Sequence, residues 1–259
     1  MGKKRFFDDR LKYLSFIQNT SEKRAISEQL APHIASMEQN RTFLRVLDAG
    51  TGDGTVKSNV IKTFHKYHPY TSLLITGKEI SYEDLKNTLE KMPDRFVEHP
   101  NLLVTMTNVK FAELGHIESS NKIKGKNVKS YTLVLKDDNS FDFHAQINKL
   151  NSFIKKNWGI EIDNKSRTSY ANPCIIRIYR EDHKRYIEPF IDNDYKNNNY
   201  DLIIASQAYR AASEVRTKVN NVIAPLMRLL NKSGKLLVTH SCGGDTVEKI
   251  LKVAWKDKN

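Results

Sequence analysis

The sequence predicts an α/β fold built on a doubly wound, mostly parallel sheet. Short apolar runs typical of buried strands, such as 43–48, 73–77 and 200–205, alternate with segments whose apolar residues recur at helical spacing. This alternation places a helix between successive strands, and parallel strands joined in this way are covered on both faces. The length of 259 residues is long for one domain and short for two.

The predicted elements follow in chain order. Helical spacing over 10–38 is interrupted at 19–22, where Thr20 or Ser21 can cap a second helix. The regular part then continues as strand 43–48, helix 56–67, strand 73–77, a helix opening at Ser81, and strand 101–107. After a long interruption it resumes as strand 200–205, helix 215–230, a turn at 233–234, strand 235–240 and helix 246–255.

The interruption divides the chain into three parts. Residues 1–40 are expected to be N-terminal helices that cover a ligand, and 41–115 with 200–259 form the ligand-binding core. Residues 116–199 are rich in Lys, Asn and Ser and carry strand-like runs at 131–135 and 174–179. We expect them to form an inserted α+β lobe, a lid or substrate lobe, because they enter between the third and fourth strands of the core.

Composition mainly excludes classes of protein. The net charge of +12 indicates an anionic partner such as nucleic acid, acidic lipid or a phosphorylated ligand, or a solvated Lys- and Asn-rich surface. Since no single segment holds the excess, the second interpretation is favoured. No apolar run approaches the ~20 residues of a membrane span. Cys174 and Cys242 lie far apart, so we expect no disulfide framework and a cytoplasmic location, and no histidine or cysteine spacing predicts a metal site.

The pattern that carries chemistry is a glycine turn directly after the first predicted strand. Gly50, Gly52 and Gly54 occupy every second position and precede a predicted helix. Glycine lets the backbone turn sharply and approach a ligand closely, and the turn brings that ligand to the carboxyl ends of the strands. The spacing differs from the GxGxxG pattern of dinucleotide folds, and the turn lacks the GK[ST] ending of a phosphate-binding loop.

Two acids accompany this turn. Glu79 follows the next predicted strand, where a carboxylate can accept hydrogen bonds from both hydroxyls of a ribose. Asp48 lies where its carboxylate can face a cationic group of the ligand. A glycine turn with these acids predicts a site for a nucleoside that carries a positive charge and no phosphates.

Residues 46–55, VLDAGTGDGT, closely resemble the first motif of the class I S-adenosylmethionine-dependent methyltransferases. Residues 201–206 and 230–236 resemble the motifs of the fourth and fifth strands of that family. The resemblance implies a Rossmann-like fold and S-adenosyl-L-methionine as cofactor, with Glu79 on the ribose and Asn108 in place of the usual Asp near the adenine. The cofactor-binding residues that it implies are Asp48, Ala49, Gly50, Thr51, Gly52, Gly54, Glu79, Ile80, Asn108, Val109 and Ser206.

A narrower resemblance concerns histamine N-methyltransferase-type enzymes. Residues 11–22, 206–209 and 241–244 look like the entry helices and the loops after the fourth and fifth strands of that family. The resemblance implies that Glu22, Gln207 and Tyr209 contact an amine substrate. Glu22 and His240 are also candidates for the group that takes a proton from the acceptor, since an amine must arrive neutral.

These resemblances predict methyl transfer to the amine or hydroxyl of a small molecule. Two alternatives stay open: a nucleic-acid (RNA) methyltransferase, suggested by the net charge and by Lys122, Lys124, Lys126 and Lys129, and a cofactor-binding subunit that needs a partner. The family also has an antiparallel hairpin after the fifth strand, which is expected to be missing here because the sequence stops at Asn259. Either the sequence is a fragment, or the insertion supplies the cover.

Overall fold

The computed structural model describes residues 21–38, 40–117, 121–162, 168–192, 199–206, 208–209 and 214–239. Among these residues the first half of the chain forms α1 (Glu22–Ala35), β1 (Phe43–Ala49), α2 (Thr55–Tyr67), β2 (Ser72–Lys78), α3 (Tyr82–Glu90), α4 (Pro93–Glu98), β3 (Leu102–Thr107) and a 3-10 helix at Phe111–His116. The predicted strands 43–48, 73–77 and 101–107 are confirmed to within two residues.

The inserted segment and the last part of the chain supply the remaining elements. They are β4 (Lys122–Ile123), β5 (Lys126–Asn127), β6 (Lys129–Leu135), α5 (Ser140–Ile147), α6 (Leu150–Asn157), β7 (Ile160–Ile162), β8 (Thr168–Tyr170), β9 (Cys174–Arg180), α7 (Lys184–Ile187), α8 (Pro189–Asp192), β10 (Tyr200–Ser206), α9 (Val215–Lys218), a π-helical segment at Val219–Ile223, α10 (Ala224–Met227) and β11 (Leu230–Thr239).

Seven of these strands form one sheet, in the order β11-β10-β1-β2-β3-β9-β6. The five core strands are parallel to one another, β9 is antiparallel to β3, and β6 is parallel to β9. The fold is therefore a Rossmann-like α/β fold with a mostly parallel sheet. The antiparallel strand lies at the β3 edge and comes from the insertion, and not from a hairpin after the fifth strand of the core. Residues 240–259 lie outside the described part.

Apolar side chains pack on both faces of the sheet, since successive residues of a strand point to opposite faces. Leu44 and Val46 of β1 pack under helices α1 to α6, while Leu47 and Ala49 pack against the 3-10 helix and the helical segment 219–227. Nearly every residue of β1, β2 and β3 is buried, which is the pattern expected of parallel strands whose sheet is covered on both faces.

The C-terminal part differs in detail from the sequence prediction. The helix predicted over 215–230 ends at Met227, and the predicted turn at 233–234 is a bulge within β11. Tyr200 pairs with Leu230 but Leu202 pairs with Lys235, so three extra residues loop out of the ladder. A Cβ at Gly234 would lie 2.5 Å from the Tyr200 carbonyl oxygen, which is why a glycine suits this position.

A buried histidine makes the stability of this fold depend on pH. His99 is fully buried, its Nε2 lies 3.1 Å from the Thr71 carbonyl oxygen and its Nδ1 lies 3.2 Å from Nδ1 of His65. Burial, with a smaller contribution from His65, lowers the pKa of His99 to about 4. The unfolded chain therefore binds a proton at this group at a higher pH than the native chain does.

We expect the free energy of unfolding to fall by about 3 kcal/mol as the pH decreases from about 6.5 to 4, because of this group. Urea denaturation across that range measures the effect. His99→Gln keeps a side-chain donor for Thr71 and removes the titration, so its stability should vary less with pH, whereas His116→Gln at an exposed position controls for the loss of one histidine. Equal pH profiles for the parent and His99→Gln would contradict the assignment.

Candidate functional site

The glycine loop between β1 and α2 forms the floor of a cleft at the carboxyl edge of the sheet. Gly50, Gly52 and Gly54 all have positive φ angles, of 110°, 57° and 78°, a region in which residues with a side chain are strained. The amides of Gly50 and Thr51 donate to the Lys78 carbonyl oxygen at 3.2 and 3.0 Å. These bonds hold the loop over the end of β2.

Glu79, directly after β2, ties two loops together. Its Oε2 accepts the Gly52 N–H, and its Oε1 accepts the N–H groups of Ile80 and Ser81, each at 2.8 Å. Burial, with a contribution from Asp84, raises the pKa of Glu79, and the bonds from the Ser81 and Gly52 amides oppose that shift. Oε2 accepts one bond here, and a carboxylate oxygen has room for a second.

Asp48 is the penultimate residue of β1 and is buried next to the glycine loop. The residue is 1% exposed and its Oδ2 accepts no hydrogen bond within the described residues. Burial raises the pKa of Asp48, while the ammonium of Lys57 opposes that shift. A buried acceptor without a donor indicates a place for a donor from a ligand.

Lys57 is a fully buried cation that acts electrostatically on Asp48. It is the third residue of α2, and its Nζ lies 3.3 Å from the Met106 sulfur, over the backbone of Gly77, where a Cβ would overlap the ammonium. Burial lowers the pKa of Lys57 to about 8, and the Asp48 carboxylate opposes that shift. The two groups are therefore a buried, electrostatically coupled pair.

Helix α1 closes the cleft from above and is attached to the loop. Lys23 forms an ion pair with Asp53, whose carboxylate also accepts the backbone N–H and hydroxyl of Thr55 at 3.1 and 2.9 Å. Lys91 donates to the Asp53 carbonyl oxygen at 2.8 Å. Burial raises the pKa of Asp53, but the bonds from Lys23 and Thr55 outweigh it, so the pKa is lowered.

The cleft has a volume of about 190 Å³ and a lining in which five carboxylates face two lysines. It is lined by Glu22, Lys23, Ile26, Asp48, Gly50, Thr51, Gly52, Asp53, Val56, Lys78, Glu79, Asp84, Phe111, Ser206 and Ala208. An acidic lining in a chain with a net charge of +12 indicates a ligand with positive charge.

The structure brings together seven of the residues predicted from the sequence. Those that line the cleft are Asp48, Gly50, Thr51, Gly52, Glu79, Glu22 and Ser206. Ala49, Gly54, Ile80, Val109 and Tyr209 lie close by in the chain but are not part of the lining, and Lys218 Nζ lies 5.4 Å from the centre of the Tyr209 ring. Gln207 and His240 lie outside the described residues.

Asn108, predicted to lie near the adenine, has a different environment. Its Oδ1 accepts the Cys174 N–H at 2.8 Å, its Nδ2 donates to the Asn172 carbonyl oxygen at 2.9 Å, and the residue is 1% exposed. Both ends of its amide therefore hold the start of β9 against the end of β3. A contact of this side chain with adenine stays a prediction.

Several lining residues were not predicted from the sequence. Lys78 Nζ lies 5.1 Å from the centre of the Phe111 ring, and both residues line the cleft. Burial lowers the pKa of Lys78, with Glu79 opposing the shift. Lys57 is not part of the lining and was likewise not predicted. The sequence does mark this lysine as unusual, because it occupies a position of the apolar stripe of α2 with Val60, Ile61 and Phe64.

The described residues provide neither a metal-binding cluster nor a membrane-spanning helix. No group of three or more His, Cys, Asp or Glu side chains is arranged to hold a metal ion. None of the helices described is long and apolar enough to cross a membrane.

Comparison with known proteins gives similarity to solved structures only. No protein-family model matches the chain, and no curated protein matches it. Among solved structures, the chain is similar to MnmC2 from Aquifex aeolicus, with a TM-score of 0.31 and 10% sequence identity over 87% of this chain and 50% of that one. The chain thus spans about half the length of that protein, and a similarity at this level assigns it no activity.

Proposed function

We propose that the protein is an S-adenosylmethionine-dependent methyltransferase. The observation that carries the proposal is the Glu79 carboxylate, which is fixed to the glycine loop through the Gly52 amide and retains acceptor capacity toward the cleft. A carboxylate after the second strand is the group that binds ribose hydroxyls in Rossmann-like folds. The sequence pattern 46–55 supports the same cofactor.

The charges of the cleft support a cationic cofactor. The unpartnered Oδ2 of Asp48 suits the ammonium of an amino acid moiety, because it is a buried acceptor next to the loop. Phe111 offers an aromatic face to a base. S-adenosylmethionine carries both a sulfonium and an ammonium, and it has no phosphate that the five carboxylates would repel.

The bound cofactor supplies an electrophilic methyl group, and methyl transfer from it is an in-line displacement. The residues of the chain then bind, orient and exclude water. Helix α1 covers the loop and brings Glu22 to the cleft, where its carboxylate can accept a proton from an acceptor amine or hold an ammonium in place. The acceptor group that we propose is an amine or a hydroxyl.

The small-molecule acceptor predicted from the sequence is supported by the position of Glu22 in the cleft. A nucleic acid that carries an amine or hydroxyl is the second candidate, and it is favoured by the lysines at the same edge of the sheet, described below. The inserted segment 116–199 adds β9 and β6 to the sheet, and none of its described residues lines the cleft, so its role as a substrate lobe is a proposal.

Isothermal titration calorimetry with S-adenosylmethionine and its demethylated product tests the cofactor. We expect a dissociation constant on the order of 10 µM, within the usual range of enzyme ligands, and no binding of NAD or ATP at the same concentration. Preferential binding of NAD, or no binding of either sulfur nucleoside, would reject the proposal.

A further inference from the structure

Residues 121–129, here named the lysine hairpin, present four lysines on a small antiparallel ribbon. Ile123 pairs with Lys126, and the turn residues Lys124 and Gly125 have φ angles of 49° and 78°. This pair of positive values is that of a tight hairpin turn. Apart from Val128, the only apolar side chain of the hairpin is Ile123, which is 5% exposed, while Lys122, Lys124 and Lys129 are exposed and Lys126 is half-exposed.

The sheet places this hairpin at the same edge as the cleft. Lys129 pairs with Cys174 at the start of β9, and the end of β3 pairs with the following residues of β9. Lys78 at the end of β2 pairs with Thr107 at the end of β3. Three strand spacings of about 4.8 Å separate Lys78 from Lys129, so the hairpin begins about 14 Å from the cleft.

Glu113 connects the hairpin to the wall of the cleft. Its Oε1 pairs with Lys124 Nζ at 2.7 Å, and its Oε2 accepts the Lys110 N–H and the Tyr170 hydroxyl, each at 2.9 Å. The 3-10 helix that carries Glu113 starts at the cleft residue Phe111. The lysines are therefore held in a fixed position relative to the cleft.

We propose that the lysine hairpin and Lys110 bind the phosphate backbone of a single-stranded nucleic acid whose reacting nucleotide enters the cleft. This inference rests on the proposed function and names its substrate class. The distance of about 14 Å spans about four phosphates of a stacked strand at 3.4 Å per nucleotide. Lys110, next to the cleft residue Phe111, lies at the end of that path.

A nucleic acid fits this surface better than a membrane does. Within the hairpin itself no large apolar side chain is exposed for insertion into lipid, because Ile123 is buried; the exposed Ile160 and Ile162 belong to the neighbouring strand β7. Lys124 and Lys126 keep exposed side chains although they pair with Glu113 and Glu161. These pairs hold the two ammonium groups in place, and the exposed Lys110 and Lys129 add further cations for a polyanion.

Fluorescence anisotropy with a labelled, unstructured 20-nucleotide RNA tests the inference. With four phosphate contacts at about −0.7 each, the logarithm of affinity should fall with the logarithm of salt concentration with a slope of about −3. Lys110→Glu/Lys129→Glu should weaken binding at least tenfold and reduce the slope to about −1.5. The matched control is Lys136→Glu/Lys184→Glu, which makes the same charge change at the opposite edge of the sheet and should alter affinity less than twofold.

Calorimetry with S-adenosylmethionine on the same variants separates the two proposals. Unchanged cofactor binding together with loss of RNA binding supports the inference. Equal effects of the two lysine pairs, or binding to anionic phosphatidylserine vesicles without binding to RNA, would overturn it. Failure of the parent protein to bind the cofactor while it retains hairpin-dependent RNA binding would reject the methyltransferase and leave the RNA surface established.

Discussion

Replacing Glu79 with glutamine is expected to weaken S-adenosylmethionine binding by about 100-fold, equivalent to about 3 kcal/mol. The carboxylate accepts three backbone N–H bonds in the structure, from Gly52, Ile80 and Ser81. A glutamine amide turns one of the two oxygens into a donor, which then faces an N–H group instead of accepting it. The variant also loses the negatively charged group to which the ribose hydroxyls would donate hydrogen bonds.

The control for this prediction is Glu83→Gln. Glu83 is an exposed acid on α3 and accepts the Ser81 hydroxyl at 3.1 Å, so the change removes the same charge a few residues away. We expect its cofactor affinity to stay within threefold of the parent. Cofactor binding that survives in Glu79→Gln, measured by calorimetry, would show that Glu79 organises the loops without touching the ligand.

Replacing Lys57 with methionine is expected to reduce the free energy of unfolding by about 3 kcal/mol, because it removes one partner of a buried charged pair. Methionine keeps much of the length of lysine and can still contact Met106, so the packing changes little. The Asp48 carboxylate, fully buried and without a hydrogen bond at Oδ2, would lose its nearest compensating cation.

Urea denaturation of a double-mutant cycle tests this interpretation. Asp48→Asn/Lys57→Met should cost less than the sum of the single changes by at least about 1 kcal/mol, as expected for groups that interact. Lys62→Met, on the exposed face of the same helix, should change the stability by less than about 0.5 kcal/mol. Additive single effects would mean that Lys57 stabilises the fold through packing alone.

Local chain patterns were sufficient to predict the core of the fold and several residues that line one cleft. Strand, glycine turn and helix follow one another within 43–67, so the position of Gly50 and Gly52 at the sheet edge depends on contacts that are near in sequence. Glu79 and Asp48 follow from the same rule, since the ends of parallel strands meet at one edge. Both lie in the cleft.

Features that depend on long-range pairing could not be predicted in this way. The insertion joins the sheet at β3 because Thr107 pairs with Ile175, and nothing near either residue specifies that register. The environment of Asn108 has the same origin, since its partners Asn172 and Cys174 belong to the insertion. The sequence contained a lysine in an apolar stripe, but only the structure shows that its amine lies against Met106 and Gly77 and acts electrostatically on Asp48.

The central position of β1 has a consequence for how the chain acquires its structure. The backbone N–H of Arg45 donates to Asp201 across 156 residues of sequence, and β1 pairs with β10 from Val46 to Asp48. Pairing of such distant segments closes a large loop and is slow, because contact order limits the folding rate. During synthesis, one edge of β1 therefore stays unpaired until residues 200–206 have left the ribosome. That edge is a site where nascent chains can associate with one another before the sheet is complete.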